Sequence, residues 1–373
     1  MNYRFSREEE SFRAEVREFL ADYRDLDGFF GQDQKWDRVK AMFRAMGERG
    51  WLSLSWPKAL GGLEMGPAHE YILWDEVAYA RAARNPLSAG IVARTIIRHG
   101  NDAQRARWLP PIAEGELHFS LGYSEPEAGS DLASLRCRAE RKGDHYEING
   151  QKCWQSYAGC MDYLWLLART GSQESRSAGT TLLIVDLHAP GVEVTPLPTM
   201  DDHQLYEVLL SEVSVPVDHR VGAEDGAWAI MGEALADERH IQFPPGRVRR
   251  DLEEMVSWLR VEGLDEDPIV RHRVSDLAVK VMQVEMHGLR VLDAMQTGRD
   301  AVAKAAANKV AHTVVCQEIA RTVLDCGGPE ALVHGSRPEL LWCQTMWETI
   351  GGGTSEVMRG VVAKADLGLS GRR

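Results

Sequence analysis

The chain has no run of 18 apolar residues, so no segment is expected to cross a membrane as a helix. It carries only six cysteines in 373 residues, at positions 137, 153, 160, 316, 326 and 343, and no CxxC pair among them. Cys153 and Cys160 stand seven apart with no pair of histidines nearby, so a metal site is not expected. The six read as reduced and mostly buried thiols. Positive charge is scarce, with 43 Lys and Arg against 56 Asp and Glu and a net charge of −13. Phosphate backbones demand clustered cations, so nucleic acid is not an expected partner. An anionic substrate would have to be met by a locally placed Arg or Lys. No leader-like stretch precedes the first helical pattern, and the expected location is cytoplasmic.

What is present is an ordinary globular composition, 44% hydrophobic and 27% charged, in a chain long enough to bury a sizeable core. One large domain or two to three subdomains are expected. Ser6 and Glu9 read as a capping box ahead of the stripe Phe12, Val16, Phe19, Leu20. Residues 35–50, 68–84, 89–99 and 104–113 continue in helical pattern. From Phe119 the texture changes. Tyr146 to Ile148 alternates, Asn149-Gly150 predicts a type I′ hairpin turn, and the pattern resumes toward Trp154. Tyr163–Ala168 and Thr180–Leu187 are short apolar runs, and Gly191–Leu197 and Tyr206–Val215 alternate. After Val221 the helical period returns. Val270, Val274, Leu277, Val281, Val284, Gly288, Val291 and Met295 form one stripe ending near Gly298, with Gly288 a close-packing point. An Ala-rich helix follows from Ala301 to Asp325, and a last one after Gly351-Gly352-Gly353. The expected class is α+β, with an N-terminal helical domain over 1–118, a middle antiparallel β domain over 119–220, and a C-terminal helical bundle over 221–373.

Two motifs carry most of the chemistry. Ser124-Glu125-Pro126-Glu127-Ala128-Gly129-Ser130-Asp131 offers hydroxyls and backbone N–H groups at a turn shaped by Pro and Gly. Lys152-Cys153-Trp154-Gln155-Ser156 places an indole two residues from another hydroxyl. A flat aromatic wall beside clustered donors suits an electron-poor ring such as a flavin, which needs stacking and hydrogen bonds to its carbonyls and nitrogens.

These motifs, in their order and spacing, resemble the acyl-CoA dehydrogenase family. So do Gly50-Trp51-Leu52 with Pro57 and Gly61-Gly62, Trp108-Leu109-Pro110, Ile112 to Glu116, Leu166 to Thr170, and Gly353-Thr354-Ser355-Glu356-Val357-Met358-Arg359. The resemblance covers nearly the whole chain. It implies the fold just described, FAD as cofactor, an acyl-CoA or acyl-carrier substrate, and electron-transfer flavoprotein or a similar acceptor. A homo- or hetero-tetramer is implied as well. Carried over residue by residue, it sets Tyr123, Ser124, Gly129 and Ser130 facing flavin or substrate, with Ser130 shared between the two. Trp154 and Ser156 flank the isoalloxazine, and Thr354 contacts the flavin side.

Family members abstract the acidic α-proton of a thioester with a Glu while a hydride leaves the β-carbon. Most carry that Glu immediately before the C-terminal Gly-Thr-Ser, where this chain has Gly352. A minority, isovaleryl-CoA dehydrogenase among them, hold the base on an earlier helix in a Glu-Arg pair, and Glu238-Arg239 stands at the matching place. The local pattern points the same way. Trp228, Met231 and Leu235 form one helical stripe, and Glu238 falls on it at the next step. A carboxylate there is expected to be desolvated, as a general base requires. Arg239 is expected to anchor the base-bearing segment or a polar network on the substrate side.

Three departures stand against a simple match. The family's Arg and Phe-Gly after the first C-terminal helix, which help hold the adenylate end of FAD across a subunit interface, give way to Gly263-Leu264-Asp265-Glu266-Asp267-Pro268. A Gln before the later Gly-Gly is Leu324, and Glu127 replaces a small residue. An acidic loop would repel a pyrophosphate. A subset of bacterial relatives, many acting on steroid side chains, form α2β2 heterotetramers in which the partner supplies the missing contacts, and this chain resembles their catalytic subunit. Two other readings stay open at this point: a partner subunit without chemistry of its own, and a flavin oxidase or monooxygenase on the same scaffold.

Overall fold

The computed structural model describes residues 4–28, 31–200 and 205–369, and within them all side chains but those of 234–240. In chain order the helices α1 (Arg7–Leu20), α2 (Trp36–Gly47), α3 (Pro67–Tyr79), α4 (Ala93–His99) and α5 (Asp102–Ala113) come first. Strands β1 (Phe119–Gly122), β2 (Arg138–Lys142), β3 (His145–Ser156), β4 (Tyr163–Arg169), β5 (Thr180–Asp186), β6 (Val192–Leu197), β7 (Leu205–Pro216) and β8 (Arg220–Val221) follow. Helices α6 (Ala227–Gln242), α7 (Pro245–Val261), α8 (Pro268–Gln296), α9 (Val302–Gly327), α10 (Arg337–Glu348) and α11 (Ser355–Ala365) complete the chain. The order is helical, β, helical.

The chain divides into two compact units that do not follow its linear order. One gathers Met1–Phe30, Gly66–Arg84 and Arg239–Arg373, and the other Gly31–Met65 and Asn85–Glu238.

In the first unit, helical period and burial agree. Leu277, Val281 and Val284 of α8 meet Val248, Met255 and Leu259 of α7 and Val315, Ile319 and Val323 of α9 in one apolar core. At Gly288 an added Cβ would stand 2.9 Å from Pro245 Cγ and 3.2 Å from Tyr71 Oη, so the glycine is a close-packing point. Polar side chains are buried here too. Arg247 bonds Asp251 at 2.7 Å, Glu348 at 3.3 Å and Gln344 at 3.2 Å. Arg81 also bonds Asp251, and Arg84 bonds Glu348 at 3.3 Å. The network ties the stretch after α3 to α7 and α10. Part of the acidic loop has a local task, since Asp267 caps α8 by accepting from the N–H groups of Ile269 and Val270.

In the second unit the strands form one sheet in the order β6-β7-β3-β2-β4-β5-β8, with β1 beside β4. The sheet is mixed rather than antiparallel, because β4 pairs parallel to both β1 and β2. Its core holds Ile148, Leu164, Leu166, Leu183, Val185, Val208 and Val213. The chain does not turn at Asn149-Gly150. Strand β3 runs through it, with a register shift between Ile148 and Gly150, and the Asn149 side chain accepts from the N–H of Glu212. The hairpin closes between Lys142 and His145, where Gly143 has φ +71°, a conformation open to glycine without a Cβ clash. Pairing with β7 along nearly all of β3 outweighs the local preference of Asn-Gly. Helix α5 is tied to the sheet by Gln104, whose amide donates to the carbonyls of Asp218 and Arg220 at 2.7 Å each.

Two buried histidines give the protein an acid limit. His118, packed edge-on against Trp36 at 4.8 Å, has its pKa pushed by burial down to about 4, and burial does the same to His312. A ring that protonates near 6.5 when unfolded but near 4 when folded leaves the unfolded chain holding more protons between those values. Stability is therefore complete above about pH 6.5 and falls as the pH drops toward 4, by about 2 kcal/mol per ring at pH 5. Thermal unfolding from pH 7 to pH 5 should show this loss, and His118→Gln should reduce it by about half, leaving the part due to His312. An unchanged slope in that variant would refute the assignment.

Candidate functional site

The two motifs meet in the second unit. After β1 the chain forms a tight loop closed by mutual backbone bonds between Glu125 and Ala128, at 3.0 and 3.1 Å. The N–H of Cys153 donates to the carbonyl of Ser124 at 3.0 Å, which joins the loop to β3. Tyr123, Ser124 and Ser156 are half-buried, and Gly129 and Ser130 are exposed. A Cβ at Gly129 would meet nothing within 4 Å, so the loop stands clear of its surroundings there.

Trp154 is the unusual member. Its backbone is left-handed at φ +70° and its side chain is 59% exposed, at a register shift between Lys152 and Gln155 in the β3–β7 ladder. Tyr157, three residues on, is left-handed too, at φ +60°. Such conformations cost on the order of 1–3 kcal/mol each for residues with a Cβ, and they cluster at functional sites. Neighbouring contacts hold the distortion. Gln155 donates to the carbonyl of Cys153 at 2.7 Å, and Ser120 Oγ donates to the carbonyl of Ser156 at 3.0 Å.

Beneath this surface lie charged groups whose roles the sequence did not reveal. Lys152 is fully buried, and its ammonium donates to the carbonyl of Tyr123 at 3.0 Å and to Glu125 Oε1 at 2.8 Å. The Glu125 carboxylate also accepts from the N–H groups of Arg136 and Cys137, at 2.7 and 2.9 Å. Arg169 is buried as well, donating to the carbonyls of Ala133, Leu135, Arg176 and Gly179 and so fixing the segment after Asp131. Lys152 itself is buried in β3, where a charge is out of place unless it is paired.

An isoalloxazine fits this surface. The exposed indole offers a ring-sized apolar face, and the hydroxyls of Ser124, Ser130 and Ser156 belong to the same two segments. A strained, exposed tryptophan without a planar partner would be a cost with no return.

The other expected site residues lie elsewhere. Thr354 is the N-cap of α11, its hydroxyl oxygen accepting from the N–H of Val357 at 3.1 Å, which leaves its own O–H as a donor. Gly352 is left-handed at φ +68°, so the position matched to the base of most relatives is one where a side chain would be strained. A Cβ there would find Phe243 at 3.5 Å and Gln242 at 3.6 Å, ordinary contacts, so the hindrance is conformational. Glu238 and Arg239 fall within α6, but their side chains lie outside the described residues. Of the stripe expected to lead to Glu238, Met231 is buried while Trp228 is 39% exposed, so that face is not uniformly apolar. Among the described residues no cluster of His, Cys, Asp and Glu could hold a metal ion.

Models of three domains of one family match the chain in order: the acyl-CoA dehydrogenase N-terminal domain over residues 6–116, the middle domain over 120–213 and the C-terminal domain over 225–367. Acyl-CoA dehydrogenase FadE29 of Mycobacterium tuberculosis is 33% identical across 96% of both chains. Among solved structures, a chain of the ChsE4-ChsE5 complex from Mycobacterium tuberculosis is 33% identical with a TM-score of 0.87, and one of the Tcur3481-Tcur3483 steroid ACAD is 30% identical at 0.91. Both alignments cover 100% of each chain.

Proposed function

Because the chain belongs to the acyl-CoA dehydrogenase family, we propose that it binds FAD and converts an acyl thioester to the 2,3-enoyl thioester, with Glu238 as base. The observation that carries this reading is Trp154, exposed and left-handed beside the Ser124–Asp131 loop. A ring stacked on the indole would offset the strain and cover the apolar face. Tyr123, Ser124, Gly129, Ser130, Trp154 and Ser156 hold the ring, and Thr354 contributes its O–H. Bound there, FAD supplies an acceptor for the hydride that leaves the β-carbon. Glu238 takes the α-proton on a carboxylate oxygen, and Arg239 anchors the segment that carries it. The thioester rides on CoA or on a carrier protein, and electron-transfer flavoprotein or a similar acceptor reoxidises the enzyme.

The acyl group in this reading is bulky or branched, because Gly352 presents no side chain where most relatives hold a carboxylate. The steroid named for one similar structure is consistent with that. We propose also that the chain works in a heterotetramer with a second chain of the same fold. Two of the similar structures are named for two different chains, and the acidic loop from Gly263 to Pro268 makes this subunit a poor neighbour for a pyrophosphate.

The test is to purify the protein alone and with a co-expressed relative, then titrate it anaerobically with acyl-CoAs of different bulk. A yellow protein bleached by at least one acyl-CoA is expected, with colour greater in the co-expressed sample. No flavin in either preparation, or no bleaching by any thioester, would overturn the reading. Rapid oxygen consumption would move the assignment to an oxidase.

A further inference from the structure

We infer that the buried pair Lys152–Glu125 is the positioning device of the flavin wall: it locks the Tyr123–Glu125 segment to β3 beside Trp154 and so sets the affinity of the ring. The inference rests on the proposed FAD site and adds to it two residues that touch neither cofactor nor substrate in that reading.

The pair spans two segments distant in sequence. On the loop side, Lys152 holds the carbonyl of Tyr123 and the carboxylate of Glu125, while the N–H of Cys153 holds the carbonyl of Ser124 between them. Three consecutive residues of the loop are thus fastened to two consecutive residues of the strand. The Glu125 carboxylate is held from its other side by the N–H groups of Arg136 and Cys137, at the start of the path into β2. The residue immediately after this clasp is Trp154, where the strand leaves regular geometry. The ion pair thus holds the residues on either side of Ser124, which carries one of the proposed ring-binding hydroxyls, to the strand two residues before Trp154, which carries the stacking face.

Stability alone is a poor reason for such a pair. Two charges brought out of water lose solvation that their attraction barely repays, and apolar residues of similar volume often serve a fold as well or better. A buried pair that is fully bonded instead fixes one arrangement out of several. The arrangement fixed here puts the indole and the loop hydroxyls at one spacing, and a rigid ligand with a flat face and polar edges is sensitive to that spacing.

The experiment compares the parent with Lys152→Met/Glu125→Gln, which removes both charges and leaves one side-chain carbonyl for the N–H of Arg136 or Cys137, which in the parent bond separate carboxylate oxygens. FAD dissociation constants come from titration of the apoprotein, and the environment of the bound ring from visible circular dichroism. The expected result is a thermal midpoint near the parent's, affinity weaker by about tenfold or more, and an altered visible band. Lys152→Arg is measured alongside it. It keeps the charge but misplaces the donors, and it is expected to fold and to bind FAD more weakly than the parent. FAD bound within twofold of the parent by the folded double variant overturns the inference. Should the double variant fail to fold, parental affinity in Lys152→Arg overturns it instead. If the parent itself binds no FAD, the proposed function fails, and that outcome is distinct from both.

Discussion

A Glu238→Gln variant is expected to reduce its flavin with an acyl-CoA about a thousandfold more slowly than the parent, while keeping its FAD content and thermal midpoint. Proton transfer by a positioned side chain contributes roughly 10²- to 10⁴-fold, and an amide of the same shape removes the proton acceptor and little else. If Glu238 is the base as proposed, its substitution lowers the rate of bleaching at saturating substrate and leaves the substrate concentration for half-effect nearly unchanged, because ground-state binding does not use it. Glu238→Asp should fall between the two, since the carboxylate is present but set back by one methylene. The position before Gly353-Thr354-Ser355 offers no alternative base, because Gly352 has no side chain and its left-handed backbone favours glycine. Stopped-flow bleaching of Glu238→Gln within tenfold of the parent would place the base elsewhere.

The second large effect is on stability. Arg247→Met is expected to destabilise the unit that contains it by roughly 3–5 kcal/mol, the range found when one partner of a buried ion pair is removed. Arg247 is 1% exposed and faces two carboxylates, Asp251 at 2.7 Å and Glu348 at 3.3 Å, themselves almost fully buried. Burial works to raise the pKa of Asp251, but Arg247 and Arg81 outweigh it and hold the carboxyl below its usual value; Arg247 and Arg84 do the same for Glu348. Groups depressed in this way contribute stability above their unfolded pKa and lose it as pH falls through the folded value. Without Arg247 the balance shifts toward desolvation and both carboxyls move up. The variant's deficit should then be largest near pH 7 and shrink toward pH 5 as the carboxyls take up protons. A gap between parent and variant that does not change over that range would show that lost packing, not uncompensated charge, is the cause.

Elements whose information is local were legible in the chain. The stripe from Val270 to Met295 has one period and yields α8, and the apolar runs around Leu166 and Leu183 yield β4 and β5. Legibility fails where distant pairing decides. Asn149-Gly150 looks like a turn, but β7 lies alongside and straightens it. The burial of Arg247 and Asp251 has no local signal either, because their partners arrive from residues 81–84 and 344–348. The residues proposed to hold the ring were legible as motifs, and the structure joins their two segments through the Cys153–Ser124 backbone bond. The left-handed turn at Trp154 was not legible, since it sits at a register shift against β7, a strand about fifty residues further along the chain. The side chain of Glu238 lies outside the described residues, so its role rests on the sequence match and on the experiment above.

Helix α3 carries a consequence for how the protein is made. Ten of its thirteen residues are buried, Glu70, Asp75 and Glu76 among them, and besides α1 it packs on α7 and α8. Asp75 waits for the N–H of Gly246 and the guanidinium of Arg249. At about 5–20 residues per second, a ribosome needs on the order of 10–40 s to travel from the end of α3 to the end of α7. Through that interval the nascent chain holds out an apolar helix studded with acids and with only α1 to cover it. What shelters that helix during translation thus bears on the yield in a host cell, and a product cut short ahead of α7 lacks the helices on which α3 buries its outer face.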